Sequence, residues 1–250
     1  MQLERGRMSR VDFYSALSEH YDEIFPLKGP QKTFLHDFLK QESLTSVLDI
    51  GCGTGTFALE ISQTGVRVHG VDLSDEMVQI SKEKAQEIGS AATFSLADMR
   101  DLSGINDKFD GVFCLGNTLA HVSGDIELKE VLTQFGEKGT HLLLQTVNYD
   151  RILAKLVKEL PVIKTQHLIF YRYYTHRVDG LLDFAMKIEF PDTKQVVSGT
   201  NLLFPIKCAS LKEALLEAGW EVSGQWGNFD KDAWTVDSPA TIIAAKRIIG

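Results

Sequence analysis

The chain has 250 residues and a mass of 27.9 kDa, which is enough to bury one full hydrophobic core. Hydrophobic residues make up 44% of the sequence and charged residues 24%, a composition typical of globular domains and not of disordered chains. The 26 Lys and Arg side chains against 34 Asp and Glu give a net charge of −8, which disfavours nucleic acid as a partner.

The three cysteines, Cys52, Cys114 and Cys208, form no pair with the spacing of a zinc-binding motif. This scattered, odd set predicts neither a disulfide framework nor a metal site, and it favours a reducing cytoplasm. The charged N-terminus is not followed by an apolar stretch, so a signal peptide is not expected. Apolar runs are much shorter than the roughly 20 residues that cross a bilayer, so no membrane partner is expected.

The first predicted elements are two helices, followed by a strand and a glycine-rich turn. Residues 11–25 and 31–41 carry apolar side chains at three- and four-residue spacing, which predicts two amphipathic helices. Residues 47–50 are typical of a short buried strand, which runs directly into the glycines of residues 51–55. A helix then stops near Gly65, so the order is strand, glycine loop, helix.

Further strands and helices alternate along the chain, which predicts an α/β fold with a doubly wound, mostly parallel seven-stranded sheet. The other predicted strands of this sheet are residues 66–71, 92–96, 111–115, 141–147, 220–226 and 240–247. Between residues 165 and 205 apolar side chains alternate with polar ones instead, at Leu182, Phe184, Met186, Ile188 and Phe190. This period of two predicts a small antiparallel insert of three strands.

The strongest functional signal is the run Val47-Leu48-Asp49-Ile50-Gly51-Cys52-Gly53-Thr54-Gly55. Glycines at a strand-to-helix turn remove the Cβ atoms that would keep a ligand from the backbone, so a nucleotide-like ligand is expected there. Thr56 stands where a dinucleotide-binding motif has its third glycine, which disfavours an NAD enzyme. Asp72 ends the second strand, where a carboxylate can accept both ribose hydroxyls. Asp98, at the end of the third strand, is either a partner for an adenine amino group or a turn residue.

This run resembles the first motif of the class I S-adenosylmethionine-dependent methyltransferases, and the resemblance extends over residues 44–148. Residues 114–121 and 148–153 are similar to the corresponding segments of the glycine N-methyltransferases and their bacterial relatives. The resemblance implies a Rossmann-like methyltransferase. It further implies that the enzyme uses S-adenosyl-L-methionine, releases S-adenosyl-L-homocysteine and needs no metal.

The resemblance also implies site residues. Those expected to bind the cofactor are Tyr21, Asp49, Gly51, Cys52, Gly53, Asp72, Leu73, Met77, Asp98, Met99, Leu115 and His121. Tyr21, Asn117 and His121 are expected to be catalytic by orienting an acceptor amine, with Asn117 in contact with the acceptor. Arg172 and Arg177, in the insert, are candidates for binding an acceptor carboxylate. Each of these five also has a structural interpretation: helix packing for Tyr21, loop hydrogen bonding for Asn117 and His121, and a solvated edge strand for the arginines.

The expected organisation has three parts: an N-terminal helical lid at residues 1–43, a cofactor-binding core at 44–150 and 207–250, and a substrate cap insert at 151–206. The expected function is methyl transfer to a small-molecule acceptor, with an amine nitrogen favoured over oxygen. Two alternatives stay open, a methyltransferase of RNA or protein and a non-catalytic sensor of the cofactor. The sequence also leaves open whether the chain forms a homo-oligomer.

Overall fold

The computed structural model describes residues 17–248, and no helix within them is both long and apolar enough to span a lipid bilayer. In chain order the helices are α1 Tyr21–Ile24, α2 Gly29–Gln41, α3 Thr56–Ser62, α4 Asp75–Glu87, α5 Asp125–Lys138, α6 Tyr149–Ala154 and α7 Cys208–Glu217. A 3₁₀ helix at Thr118–His121 precedes α5. The strands are β1 Ser46–Ile50, β2 Arg67–Asp72, β3 Thr93–Leu96, β4 Phe109–Cys114, β5 Gly139–Val147, β6 Ile163–Lys164, β7 Ile169–His176, β8 Leu182–Phe190, β9 Gln195–Leu203, β10 Trp220–Trp226 and β11 Ala240–Arg247.

Seven strands form the main sheet, in the order β10-β11-β5-β4-β1-β2-β3. β1 pairs in parallel with both β2 and β4, and only β11 runs antiparallel to its neighbours, β5 and β10. The predicted doubly wound α/β class is therefore confirmed. Because the chain leaves β1 toward β2 on one side and returns at β4 on the other, the carboxyl end of β1 is a topological switch point, where open sheets bind ligands.

Alternate side chains of the sheet enter two separate cores, one on each face. Leu48 and Ile50 of β1 belong to the core covered by α5 and α7. Val47 faces the other way, into the core covered by α2, α3 and α4. The two cores hold β1 rigidly between them, so the loop that follows this strand starts from a fixed position.

The insert has four antiparallel strands, in the order β6-β7-β8-β9, and not the three that the pattern predicts. The additional strand, β6, pairs two residues with Ile169 and Phe170, and a strand of two residues is too short to show a period. The predicted apolar face of β8 packs within the same chain. Met186 and Ile188 pack with Leu17 and Ile24 of the N-terminal segment, and Leu182 packs with the α6 residues Tyr149 and Ile152.

The helix predicted over residues 11–25 is interrupted. Residues 11–16 lie outside the described part of the chain, residues 17–18 are helical, and residues 19–20 form a turn before α1 begins at Tyr21. After this turn, Asp22 bonds to the glycine loop and Glu23 bonds to the turn between β6 and β7. The position of α1 thus depends on tertiary contacts that the local helical pattern does not encode.

We expect Gly55→Ala to lower the free energy of unfolding more than Gly65→Ala does. Both glycines have a positive φ, of 77° and 86°. A Cβ atom on Gly55 would lie 2.9 Å from the Phe94 ring, whereas one on Gly65 would have no atom within 4 Å. Gly65→Ala should therefore cost about 1 kcal/mol for the left-handed backbone alone. Gly55→Ala should cost more, because Phe94 must also move. Urea denaturation measures both losses, and equal losses would contradict close packing around the loop.

Candidate active site at the carboxyl end of the parallel strands

The glycine loop leaves β1 along a path that side chains would obstruct. Gly51, Gly53 and Gly55 have φ of 71°, 56° and 77°, in the left-handed region that glycine tolerates best. A Cβ atom on Gly51 would overlap the Thr118 side chain, and one on Gly53 would lie 3.3 Å from the Tyr21 ring. The loop therefore needs glycine both for its backbone shape and for the close approach of these two side chains.

Asp72 ends β2 and fastens the glycine loop to that strand. Its Oδ2 accepts a hydrogen bond from Gly53 N at 2.8 Å, and its Oδ1 accepts one from Ser74 N at 3.0 Å. One residue earlier, the Val71 carbonyl accepts a hydrogen bond from Gly51 N at 2.8 Å. Burial raises the pKa of Asp72, and the backbone donors of Ser74 and Gly53 offset part of that effect. Since each carboxylate oxygen has two lone pairs, Asp72 can still accept hydrogen bonds from a ligand.

Two cavities lie against this loop and meet at Tyr21, Gly51, Gly116 and Thr118. The smaller has a volume of about 450 Å³ and the larger about 670 Å³, sizes that suit small-molecule ligands. Of the expected site residues, those that line the smaller cavity are Gly53, Asp72, Leu73, Met77, Asp98, Met99 and His121. Those that line the larger cavity are Asp49, Cys52, Leu115 and Arg172, while Tyr21 and Gly51 line both.

Arg100 organises one wall of the smaller cavity, and no sequence motif pointed to it. Its Nη1 donates to Asp98 Oδ1 at 3.1 Å, and its backbone N donates to the same oxygen at 2.9 Å. Its Nε donates to Glu127 Oε1 at 3.0 Å, and its Nη2 donates to the His121 carbonyl at 2.5 Å. The guanidinium group thus fixes both the Asp98 carboxylate and the His121 backbone at the cavity wall.

Asp49 is a buried carboxylate that the protein does not fully satisfy. It lies in β1, it is 1% exposed, and its Oδ2 has no hydrogen-bond partner within residues 17–248. Burial, reinforced by the charge of Asp72, raises the pKa of Asp49 to about 7. A buried carboxylate oxygen is costly to leave without a donor or a cation. Because Asp49 lines the larger cavity, a cationic group of a ligand can meet that requirement.

Asn117 does not line either cavity, and its expected contact with the acceptor stays a prediction. Its backbone has a φ of 72°, and its side-chain Oδ1 accepts a hydrogen bond from Val147 N at 2.9 Å. Its Nδ2 donates to the hydroxyl of the buried Tyr149 at 2.9 Å. The amide oxygen therefore holds the end of β5, and the amide nitrogen holds the start of α6. Its neighbours Gly116 and Thr118 line the cavities instead.

Arg172 of β7 lines the larger cavity and is half-buried there. Its Nη2 donates to the Pro161 carbonyl at 2.8 Å, and its guanidinium carbon lies 5.4 Å from the centre of the Phe170 ring. Its buried Nε has no hydrogen-bond partner among the described residues. Burial lowers the pKa of Arg172, yet an arginine stays charged at neutral pH.

Arg177 lies outside both cavities. It follows the end of β7 in the hairpin that leads to β8. Its Nη2 donates to Asp179 at 2.8 Å, and its Nη1 lies 3.4 Å from Asp183. Two local carboxylates therefore pair with Arg177, and its binding of the acceptor stays a prediction.

The segment that carries Tyr21 is anchored to the glycine loop through its neighbour Asp22. The Asp22 Oδ1 accepts hydrogen bonds from the hydroxyls of Thr54 and Thr56, both at 2.6 Å, and its Oδ2 pairs with Lys84 Nζ at 2.5 Å. Partial burial opposes ionisation of Asp22, but these three donors together lower its pKa. The anchor places Tyr21 over Gly53, where the two cavities meet.

Residues 47–137 match a family described as a methyltransferase domain. The chain is 27% identical over 249 residues to a glycine/sarcosine N-methyltransferase of Aphanothece halophytica, an alignment that covers 94% of this chain and 90% of the relative. The chain is a class I S-adenosylmethionine-dependent methyltransferase. An S-adenosylmethionine-dependent methyltransferase from Clostridium acetobutylicum ATCC 824 shares the fold of this methyltransferase, with a TM-score of 0.82 at 16% identity over 94% of this chain and 98% of that one.

A relative with a larger acceptor in its name also matches this methyltransferase. The dTDP-3-amino-3,6-dideoxy-alpha-D-glucopyranose N,N-dimethyltransferase of Streptomyces fradiae is 27% identical over 132 residues, which is 50% of each chain. The relatives that match the chain therefore include N-methyltransferases named for acceptors of different size.

The residues present fit S-adenosylmethionine, which carries an adenosine and a cationic methionine part. The unpartnered Oδ2 of Asp49 fits a cationic group, and the glycine loop beside it borders both cavities. The Asp72 carboxylate, at the end of the neighbouring strand, fits ribose hydroxyls. Met77 and Met99 supply buried apolar surface to the smaller cavity, which fits an adenine ring.

We expect Asp49→Asn to change both the stability of this methyltransferase and its cofactor affinity, in opposite directions. Between pH values of about 4 and 7 the folded chain holds a proton on Asp49 that the unfolded chain releases, so the free energy of unfolding falls as pH rises through this window. The variant should lose this decline and should be the more stable protein above pH 7. Its affinity for S-adenosylhomocysteine should fall at least about tenfold, because the carboxylate that faces the ligand's cation is gone.

Urea denaturation at several pH values and calorimetry measure these two effects. Asp110→Asn is the matched control, since Asp110 accepts hydrogen bonds from Thr45 N and Ser46 N away from both cavities and those donors hold its pKa below the usual value. The control should lose stability at neutral pH and keep its cofactor affinity. Unchanged cofactor affinity in Asp49→Asn would remove Asp49 from the site.

Proposed function

We propose that this methyltransferase transfers a methyl group to an amine nitrogen of a small molecule. The observation that carries the proposal is the junction of the two cavities at Tyr21, Gly51 and Thr118, which joins the cofactor site to a second cavity of about 670 Å³. A cavity of this size suits a small molecule. The relatives that are named as N-methyltransferases of glycine or sarcosine and of an amino sugar support nitrogen as the acceptor atom.

The chemistry of the larger cavity also favours an amine over a hydroxyl acceptor. The bound cofactor supplies an electrophilic methyl group on a sulfonium. An amine attacks through the lone pair of its neutral form, so the protein has to align it and exclude water more than it has to supply a strong base. Among the described residues that line the larger cavity none is a histidine, and burial raises the pKa of the Cys52 thiol well above its usual value.

The residues that line each cavity indicate which part of the cofactor or acceptor each of them would contact. Asp72 and Asp98 would accept hydrogen bonds from the ribose and the adenine, and Leu115 and the residues of the glycine loop would contact the methionine part. Tyr21, which lines both cavities, would hold the acceptor beside the transferred methyl group, with His121 at the wall of the smaller cavity. Residues 1–43 would act as the lid and residues 151–206 as the acceptor cap, which the Asp22 anchor and the position of Arg172 support.

Methyl-labelled cofactor tests the proposed acceptor class directly. The full chain is incubated with glycine, sarcosine, a nucleotide-linked amino sugar and simple amines, each beside the analogue in which a hydroxyl replaces the amine. We expect transfer to at least one amine and none to its hydroxyl analogue. Label on RNA or protein, or on oxygen alone, would refute the proposal, and tight cofactor binding without transfer to any acceptor would indicate a sensor.

Arg172 of the insert points to a further property of the acceptor, namely an anionic group. Arg172 reaches the larger cavity with a buried Nε that lacks a partner within the described chain, and burial of an unsatisfied cationic group is costly. A guanidinium group pairs well with a carboxylate or a phosphate because its donors form a planar fork. We therefore infer that the acceptor amine carries such a group.

We expect Arg172→Lys to raise the KM for the acceptor by about 10- to 100-fold, because the charge remains but the planar fork is lost. The affinity for S-adenosylhomocysteine should stay within about twofold, since the Asp49 and Asp72 side chains are unchanged. Arg177→Lys is the matched control, because that arginine lies in the same insert but outside both cavities. Steady-state kinetics decide the point, and equal KM values for the two variants would show that Arg172 does not bind the acceptor.

A further inference from the structure

Two histidines and a glutamate from distant parts of the chain come together outside both cavities. His20 and Glu23 lie at the start of α1, and His167 lies in the turn between β6 and β7. We call these three residues the His-Glu-His cluster. The His20 Nδ1 is 3.3 Å from the Glu23 Oε2, and the His167 Nδ1 is 3.1 Å from the same oxygen. All three ligand atoms lie within 4.8 Å of one another.

These distances match the spacing of ligands around a metal ion. Zinc binds histidine nitrogen and carboxylate oxygen at about 2.0–2.2 Å in a tetrahedral arrangement, so neighbouring ligand atoms are roughly 3.3 Å apart. The two contacts made by Glu23 already have that length, and only the two imidazole rings have to turn. Two imidazoles and one carboxylate are also a donor set that binds divalent transition metals in preference to magnesium or calcium.

The surroundings of Glu23 hold its carboxylate in place. The backbone N of Gln166 donates to the Glu23 Oε1 at 3.1 Å, which leaves Oε2 directed between the two imidazole rings. The His167 Nδ1 also lies 3.1 Å from the Glu23 Oε1. Partners that orient a ligand in this way are typical of metal sites.

We propose that the His-Glu-His cluster binds one divalent transition metal ion and that this ion joins α1 to the insert. The His167 side chain is 53% exposed, so an ion can enter from solvent and a water molecule can complete its coordination. The site is separate from the chemistry of methyl transfer, because none of its three residues lines either cavity. The sequence predicts no metal site, and His167 is 144 residues from Glu23, so no local motif could reveal the cluster.

Because of the location of the cluster, a bound ion would restrict the movement of α1. Within one turn of α1, Tyr21 lines both cavities, Asp22 is held by the glycine loop and Glu23 faces the insert. Without the ion, the insert holds this turn through the hydrogen bonds of Glu23 and through the packing of Ile24 against Met186 and Ile188. With the ion bound, α1 is fastened on both sides. The ion should therefore slow the opening of the segment that covers the cofactor site.

Zinc titration of the untagged full chain by calorimetry, after treatment with EDTA, tests the binding site. We expect about one equivalent to bind, with affinity reduced at least about tenfold in His20→Ala and in His167→Ala. His167→Cys should keep zinc binding, since a thiolate replaces the imidazole as ligand. His36→Ala is the matched control, because His36 pairs with the single carboxylate of Glu60, at 3.1 Å, and should keep the parent affinity.

Amide hydrogen exchange with and without zinc tests the joining of the two segments. Zinc should slow exchange over residues 20–25 and 163–168 in the parent and in His36→Ala, but not in His167→Ala. Absence of saturable zinc binding, or equal binding by the parent and both cluster variants, would overturn the metal site. Binding at the cluster without slower exchange in α1 would overturn the proposed link. Neither readout depends on the identity of the acceptor, so the result stands apart from that of the acceptor screen.

Discussion

The fixed backbone of residues 51–55 is the constraint on which the rest of the site depends. β2 holds this loop from one side, through the Val71 carbonyl and the Asp72 carboxylate. α1 holds it from the other side, because Asp22 accepts hydrogen bonds from Thr54 and Thr56. One short loop therefore sets the floor of both cavities, the position of the ribose-binding candidate and the position of Tyr21. Larger residues at Gly51, Gly53 or Gly55 would disturb these contacts, since side chains of the protein already fill the space for their Cβ atoms.

Most of the fold could be predicted because its signals are local. Seven strands, the glycine loop and the alternation in β8 each follow from side chains within a few residues of one another, and the structure confirms them. Two features could not be predicted. β6 is too short for any pattern, and the position of α1 after the turn depends on partners of Asp22 and Glu23 that are more than 30 and 140 residues away in sequence. Local propensity carries no information about such contacts.

Candidate site residues could be predicted where their position follows from the end of a strand. They could not be predicted where their role depends on the direction of the side chain. Residues at the carboxyl ends of β1, β2 and β3 reach the cavities because every parallel strand ends at the same edge. Asn117 follows β4 at the same edge, but its positive φ turns the amide toward β5. Arg100 lies within reach of three partners that no spacing rule connects. A motif match fixes the position of a residue, whereas the role of its side chain depends on the partners that the fold brings to it.

The larger cavity contains two charged side chains whose burial lowers the stability of the protein and would favour the binding of a ligand. The seven-stranded sheet contributes Asp49 and the four-stranded sheet contributes Arg172, and each of these side chains has a buried polar atom without a partner in the described chain. Folding has therefore already removed water from these two atoms without replacing its hydrogen bonds. Ligand groups of opposite charge would meet atoms that are already desolvated, so more of their interaction energy appears as affinity. Because the two charges lie on different sheets, the cationic part of the cofactor and an anionic group of the acceptor would be held at separate places in the cavity.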